Sequence, residues 1–202
     1  MTGFYQAPVL MAAFAGGLHG WLPGKPQKCF DTFRSVMESA NISKIALLRH
    51  GQTSPSKGVD FDRVLTNLGR EQAKQGGLGF GRDLTPFSSQ MLVSPAPRTM
   101  ETAEIFKAAA GQEQVGLRPV QHLYDGTMQP KGSALFKKLG YAPLLEYLTN
   151  SDDQEREDAQ AILGAYAHVI VEEVMTWTEK EPSRPAPSTL WVVGHAIYLP
   201  AA

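Results

Sequence analysis

The chain has 202 residues, of which 43% are hydrophobic, so it can bury one sizeable core and we expect a single globular unit. Nineteen basic and twenty acidic residues leave a formal net charge of −1, which excludes a general attraction to nucleic acid or to an anionic membrane surface. The single cysteine excludes an internal disulfide, and the five histidines show no metal-ligand spacing, so we expect a cytoplasmic protein with no cofactor and no metal.

Residues 1–43 precede the predicted elements, and we interpret them as an N-terminal extension packed on the core of a domain formed by residues 44–202. The apolar stretch from Pro8 to Leu22 is either part of this packing extension or the remnant of a targeting segment. No lysine or arginine precedes it, which favours packing. No apolar run reaches the roughly 18 residues that a transmembrane helix needs.

Three short apolar runs predict buried strands, beginning at Lys44, Gln90 and Thr189. None of them alternates between polar and apolar residues, as expected for a parallel sheet that is covered on both faces. The sequence between them is typical of helices. Strands that alternate with helices predict an α/β fold, a three-layer sandwich with a mostly parallel central sheet and helices on both faces.

The helices have recognisable ends. Thr66 is expected to cap a first helix, and Ser94 to cap a second helix that runs from about Pro97 to Gly111. A third helix is expected to start near Ser151 or Asp152, because the acidic run there complements the helix dipole.

Basic side chains follow the predicted strands. Arg49 and His50 end the first strand, Arg98 lies just after the second, and His195 ends the third. Because the carboxyl ends of parallel strands meet at one edge of a sheet, we expect two guanidinium groups and two imidazoles to converge. Arginine matches the oxygens of a phosphoryl group, and a neutral imidazole can attack phosphorus. The sequence therefore predicts an oxyanion pocket.

Arg98 supports this interpretation independently. It falls in the first turn of its predicted helix, where a cation opposes the helix dipole by roughly 0.3–1 kcal/mol. A bound anion explains this placement better than stability does, and the helix start adds backbone N–H donors.

Four motifs occur in a characteristic order: "LLRHGQT" from Leu47, "LTNLGREQA" from Leu65, "VSPAPRTMETAEIF" from Val93 and "VVGHA" from Val192. Together they resemble the histidine phosphatase superfamily, which also contains the cofactor-dependent phosphoglycerate mutases. The resemblance implies that His50 becomes transiently phosphorylated. It also implies that Arg49, Arg98 and His195 hold the phosphoryl group and stabilise the transition state.

The resemblance further implies an acid that protonates the leaving oxygen. The candidate is Asp125 in "VQHLYDGTMQP", although this match is imperfect and Asp-Gly is also a common turn sequence. Further candidates for substrate contacts come from the loop after the first strand and from one histidine; they are Gly51, Gln52, Thr53, Ser56 and His122. The alternative is that the loop residues are plain turn residues and that His122 is an exposed structural histidine; the sequence has the same pattern in either case.

The segment from Lys131 to Leu148 falls where proteins of this family vary and often cover the site. Its lysines, at 131, 137 and 138, either attract an anionic substrate or lie on a solvated helix face.

We therefore expect a metal-independent phosphatase that acts on a phosphorylated small molecule or a phosphoprotein, with no nucleic-acid or membrane partner. The alternatives are a phosphomutase of the same family and a phospholigand-binding or regulatory module without turnover. Only seven residues follow His195, where proteins of this family continue into a helix, so the C-terminus is expected to be either naturally short or truncated.

Overall fold

The computed structural model of the chain describes residues 35, 37–39, 41–55, 58–80, 88–124, 129–139, 144–149, 152–178 and 188–195. The apolar stretch from Pro8 to Leu22 lies outside the described residues, and so do Ser56 and Asp125. The division of the chain at residue 43 therefore stays a prediction.

Within the described residues, four parallel strands form one sheet. They are β1 (Ile42–Arg49), β2 (Gln90–Val93), β3 (Gly116–Pro119) and β4 (Ser188–Gly194), in the order β1-β4-β2-β3. All seven residues of β4 are buried, which explains why its sequence is apolar without alternation. The α/β fold with a parallel sheet is thus confirmed. β3 was not predicted, because it is short, ends in a proline and is partly exposed.

Helices cover both faces of the sheet. They are α1 (Asn67–Phe80), α2 (Pro97–Ala109), α3 (Gln129–Leu139), α4 (Leu144–Leu148) and α5 (Asp153–Thr178). On one face Leu190 and Val192 pack in a cluster with Ile162 of α5. On the other face Trp191 packs with Phe106 of α2. Neighbouring β4 residues thus belong to opposite layers, and the sheet is the middle layer of three.

The ends of the helices agree with the sequence at two points. Thr66 caps α1, since its hydroxyl oxygen accepts a hydrogen bond from the N–H of Gly69 at 3.1 Å. Gly111, just past the end of α2, has a φ of +69°, a conformation that glycine adopts without strain. α1 continues beyond Gln75 through a glycine-rich stretch, where a Cβ at Gly77 would lie 2.3 Å from the carbonyl oxygen of Phe106.

Ser94 does not cap α2, so that prediction was wrong. The residue before the helix is Ala96, which makes no side-chain cap. The hydroxyl of Ser94 is instead 2.8 Å from His195 Nε2. Proline has no backbone N–H. Because Pro97 occupies the first position of α2, this helix start has one N–H fewer that needs an acceptor.

The described residues of the segment from Lys131 to Leu148 belong to α3 and α4, which pack against α5. Lys131 forms an ion pair with Asp158 at 2.7 Å, and Lys138 pairs with Glu155. These two lysines therefore neutralise acidic residues at the beginning of α5, which fits the helix-face interpretation. Among the helices that the structure describes, none combines the length and apolar character needed to cross a bilayer.

Candidate active site

The carboxyl ends of β1, β2 and β4 bring the predicted site residues together. The N–H of His50 donates to the carbonyl of Gly194 at 3.1 Å, and the N–H of Ser94 donates to the carbonyl of Val193 at 2.9 Å. The three strands therefore end level with one another. As a result the rings of His50 and His195 lie edge to face, with their centroids 5.3 Å apart.

His50 is held with one nitrogen ready to react. Its Nδ1 lies 2.7 Å from the carbonyl oxygen of Gly51, which can only accept, so Nδ1 carries the proton. In the neutral ring this leaves the lone pair on Nε2. Burial, and then the positive charges of Arg98, Arg49 and Arg63, lower the pKa of His50 to about 4 against the opposing effect of the Gly51 hydrogen bond. The imidazole is therefore neutral and nucleophilic at pH 7.

His195 has the opposite tautomer. The guanidinium of Arg98 only donates, so its Nη2, 3.2 Å away, requires His195 Nδ1 to accept. The proton of the neutral ring is then on Nε2, which donates to the hydroxyl of Ser94. Burial, followed by the charge of Arg98, holds the pKa of His195 well below its ordinary value. Ser94 is thus a site residue whose contact with His195 the sequence did not reveal.

Arg98 is a buried cation, with only 3% of its surface exposed. Its Nη1 donates to the carbonyl oxygens of Asp60 and Phe61, at 2.5 and 3.3 Å, and its Nη2 donates to Asp60 Oδ2 at 2.7 Å. Its Nε is also buried and has no hydrogen-bond partner within the described part of the chain. A buried donor of this kind is suited to an oxygen of a bound anion.

Arg49 ends β1, where it lies in register with Gly194 of β4, the residue before His195. Its charge is close enough to contribute to the lowered pKa of His50. The structure thus brings together all four residues at which the sequence predicted an oxyanion pocket. Their catalytic roles stay predictions.

Gly51 connects the loop after β1 to two helices. Its N–H donates to the hydroxyl of Thr102 at 3.2 Å, and that hydroxyl donates to the carbonyl of Arg98 at 2.7 Å. A Cβ at Gly51 would lie 2.3 Å from the carbonyl oxygen of Gly69 in α1. Only glycine permits this approach, which fixes the backbone next to His50.

Gln52 and Thr53 are engaged in contacts that hold the loop. Gln52 Oε1 accepts from the hydroxyl of Thr66 at 2.7 Å, and Thr53 Oγ1 accepts from Nη2 of Arg63. A role of both residues in substrate binding stays a prediction. The proposed contribution of Ser56 stays a prediction as well.

His122 is exposed in a short 3-10 turn, Gln121–Leu123. Tyr124, two residues later, lies beside the pocket with its ring centroid 5.3 Å from that of His195 and 5.8 Å from Arg98 Cζ. Because Asp125 lies outside the described residues, its role as proton donor stays a prediction.

Asp60 is a further residue of the site that sequence reasoning missed. It begins a 3-10 turn, Asp60–Asp62, and its carboxylate contacts Arg98, Arg63 and the hydroxyl of Tyr124. Burial alone would raise the pKa of Asp60, but the charges of Arg98 and Arg63 outweigh it and hold that pKa below its ordinary value. The only signal in the sequence was an aspartate three residues before an arginine, just ahead of "LTNLG".

The described residues contain no group of three or more His, Cys, Asp or Glu side chains arranged to hold a metal ion. What the site offers is an unprotonated imidazole nitrogen next to buried guanidinium donors. This arrangement can carry out nucleophilic attack on an electrophile that bears negatively charged oxygens.

Comparison with known proteins shows what the chain is similar to. The solved structure of a phosphoglycerate mutase from Bacillus anthracis str. Sterne is 19% identical, over 76% of this chain and 75% of its own, with a TM-score of 0.50. An alpha-ribazole phosphatase from Shigella flexneri is 17% identical, over 75% of this chain and 73% of its own, with a TM-score of 0.43. The mutase therefore shares the fold of this chain.

No curated protein matches the chain in sequence. The sequence profile of the histidine phosphatase superfamily (branch 1) matches residues 45–201, a range that includes the ends of all three strands that supply the site. This match spans more than half of the chain, and the chain therefore belongs to the histidine phosphatase superfamily.

Proposed function

We propose that the protein hydrolyses phosphomonoesters, on a small molecule or on a protein, through a phosphohistidine formed at His50. The observation that carries the proposal is the hydrogen bond from His50 Nδ1 to the Gly51 carbonyl, which leaves the lone pair on Nε2. Membership of the superfamily supports a phosphohistidine intermediate in general terms. The specific reaction is our proposal.

The reaction has two displacements at phosphorus. Nε2 of His50 attacks, the ester P–O bond breaks, and the leaving oxygen takes a proton from Asp125. Water, deprotonated by the same carboxylate, then attacks the phosphohistidine, so that the N–P bond breaks and inorganic phosphate is released. Arg49, Arg98 and His195 stabilise the charge on the equatorial oxygens in both steps.

His195 would change its tautomer or gain a proton when the phosphoryl group binds. In the structure its Nδ1 accepts from Arg98 Nη2. Donation to a phosphoryl oxygen requires a proton on that nitrogen, and a bound dianion favours protonation because it offsets the nearby positive charges.

The test compares phosphate release and covalent labelling by the wild type, His50→Ala and His168→Ala. His168 is an exposed histidine of α5 paired with Glu172, and it serves as the control. We expect His50→Ala to lose at least about a thousandfold in rate together with all acid-labile labelling, and His168→Ala to keep both. Full activity in His50→Ala would overturn the proposal.

The same assay separates the alternatives. A phosphomutase would label His50 but pass the phosphoryl group to an added organic hydroxyl, with little release of phosphate. A binding module would bind phosphate without any labelling.

The variant Asp125→Asn tests whether Asp125 is the proton donor to the leaving oxygen. We expect a much larger loss of rate for an alkyl phosphate than for an activated aryl phosphate, because only the alkoxide needs a proton in order to leave. Equal losses on both esters would remove Asp125 from this role.

A further inference from the structure

Asp60 places a negative charge next to a pocket built for an anion. Its Oδ2 accepts from Arg98 Nη2 at 2.7 Å and from the Tyr124 hydroxyl at 3.3 Å, and its Oδ1 accepts from Arg63 Nη1 at 3.2 Å. The phosphoryl chemistry proposed above uses no carboxylate at this position. Its presence beside Arg98 therefore calls for a different function.

Arg63 is the third guanidinium whose charge reaches His50, after Arg98 and Arg49. It would be the natural partner for a second anionic group on a substrate. However, its donors already contact acceptors of the protein: Asp60 Oδ1, Thr53 Oγ1 and the carbonyl oxygen of Ser54, the last at 3.0 Å. A substrate carboxylate would have to displace these contacts and would approach the carboxylate of Asp60.

We infer that Asp60 is a specificity-determining residue, which selects phosphomonoesters with an uncharged leaving group and disfavours esters that carry a second anionic group near the phosphate. This inference rests on the proposed function of the same pocket. The cause is repulsion between like charges, which discriminates between ligands more strongly than it changes the affinity for the favoured one.

The contacts of Asp60 separate this role from a structural one. Arg98 also donates to the main-chain carbonyls of Asp60 and Phe61, and these contacts do not depend on the carboxylate. The Asp60 side chain is 43% exposed, so its loss leaves no sealed cavity. Asp60→Asn keeps the shape of the side chain and removes the charge, while Arg98 stays anchored.

The experiment uses two esters with the same carbon skeleton, glycerol 3-phosphate and 3-phosphoglycerate. They differ in a single group, since the second ester has a carboxylate where the first has an alcohol. We expect the wild type to have the higher kcat/KM for glycerol 3-phosphate. In Asp60→Asn the ratio of the two kcat/KM values should shift toward 3-phosphoglycerate by roughly tenfold, which corresponds to about 1.4 kcal/mol.

Two further variants identify the cause. Asp62→Asn makes the same change of charge in the same turn, at an exposed residue, and should leave the ratio within about twofold of the wild type. Asp60→Ser removes the charge with a smaller side chain and should reproduce the shift. A ratio that stays constant in Asp60→Asn, or equal losses on both esters, would overturn the inference.

Binding of the same two compounds, measured by titration calorimetry on the same proteins, separates this inference from the proposed function. If the binding ratio shifts in Asp60→Asn but no protein releases phosphate, the specificity role stands and hydrolysis fails. If phosphate is released but both ratios stay constant, hydrolysis stands and the specificity role fails. If neither compound binds any of the proteins, the specificity role fails, and the comparison of the wild type with His50→Ala still decides hydrolysis.

Discussion

Each imidazole of the pocket is oriented by the partner of one ring nitrogen. A main-chain carbonyl fixes the tautomer of His50, and Arg98 with Ser94 fixes that of His195. The sequence predicted that both rings lie at strand ends, because apolar runs stop abruptly there. It did not predict either tautomer, since each depends on an atom that only the folded chain brings near.

Ser94→Ala tests the support of His195. The variant removes the acceptor of a buried N–H, which costs roughly 1–3 kcal/mol of unfolding free energy, and it leaves the ring free to rotate, so we also expect kcat to fall about tenfold. Ser94→Thr keeps a hydroxyl and should recover most of the activity. Urea unfolding and steady-state kinetics measure the two effects, and an Ala variant with unchanged kcat would contradict the proposed support.

The pH dependence of kcat/KM tests the state of His50. Because its folded-state pKa is lowered to about 4, the nucleophile should stay unprotonated well below the pKa of about 6.5 of an ordinary histidine. We expect activity to fall only below about pH 5, once the ionisation of the ester near pH 6 has been divided out. An acid limb at pH 6.5 that persists after this correction would show that His50 titrates normally in the free enzyme.

At the scale of elements, the buried strands were easy to predict and the contacts between elements were not. After Ser188 and Thr189, β4 continues as an unbroken apolar run because both of its faces are covered. β3 escaped prediction because its four residues include a glycine and a proline and are partly exposed. Gly69 belongs to a recognised motif, yet its importance depends on packing, since a Cβ there would lie 2.1 Å from the carbonyl oxygen of Gln52.

Gly69→Ala should therefore move the start of α1 away from the loop that follows His50. We expect a loss of stability of roughly 1–3 kcal/mol, as for other overpacked sites, together with a fall in kcat/KM. Gly79→Ala in the same helix is the control, because its Cβ would meet no atom within 4 Å. That variant should be neutral or up to about 1 kcal/mol more stable. Similar effects of the two variants on activity would exclude the proposed contact.

At the scale of the whole molecule, the net charge of −1 does not reveal the local concentration of positive charge in the pocket, because it sums over the entire chain. Ordered motifs predicted which strand ends meet, because parallel strands align their carboxyl ends. The carboxylate of Asp60 could not be predicted in the same way. It lies on a turn between elements, 38 positions from Arg98, and no periodic pattern relates the two.

His50, which is half-buried, and His195, which is buried, make global stability depend on pH. Their pKa values are lowered on folding, so the unfolded chain takes up protons first, and the stability present above pH 6.5 is lost as the pH falls toward 4. His50 alone should reduce the free energy of unfolding by about 2 kcal/mol between pH 7.5 and 5. Urea titrations at both pH values measure this difference. It should shrink in His50→Asn and persist in the exposed control His168→Asn; an equal pH dependence in both would refute the linkage.

The order of the strands also has a consequence for synthesis on the ribosome. β4 separates β1 from β2, so a nascent chain that has not yet reached Ser188 lacks the strand through which its earlier strands pair. Its two halves expose unpaired edges until β4 inserts between them. The pocket therefore forms only once residues 188–195 have been synthesised, because His50 and His195 meet through the pairing of β1 with β4.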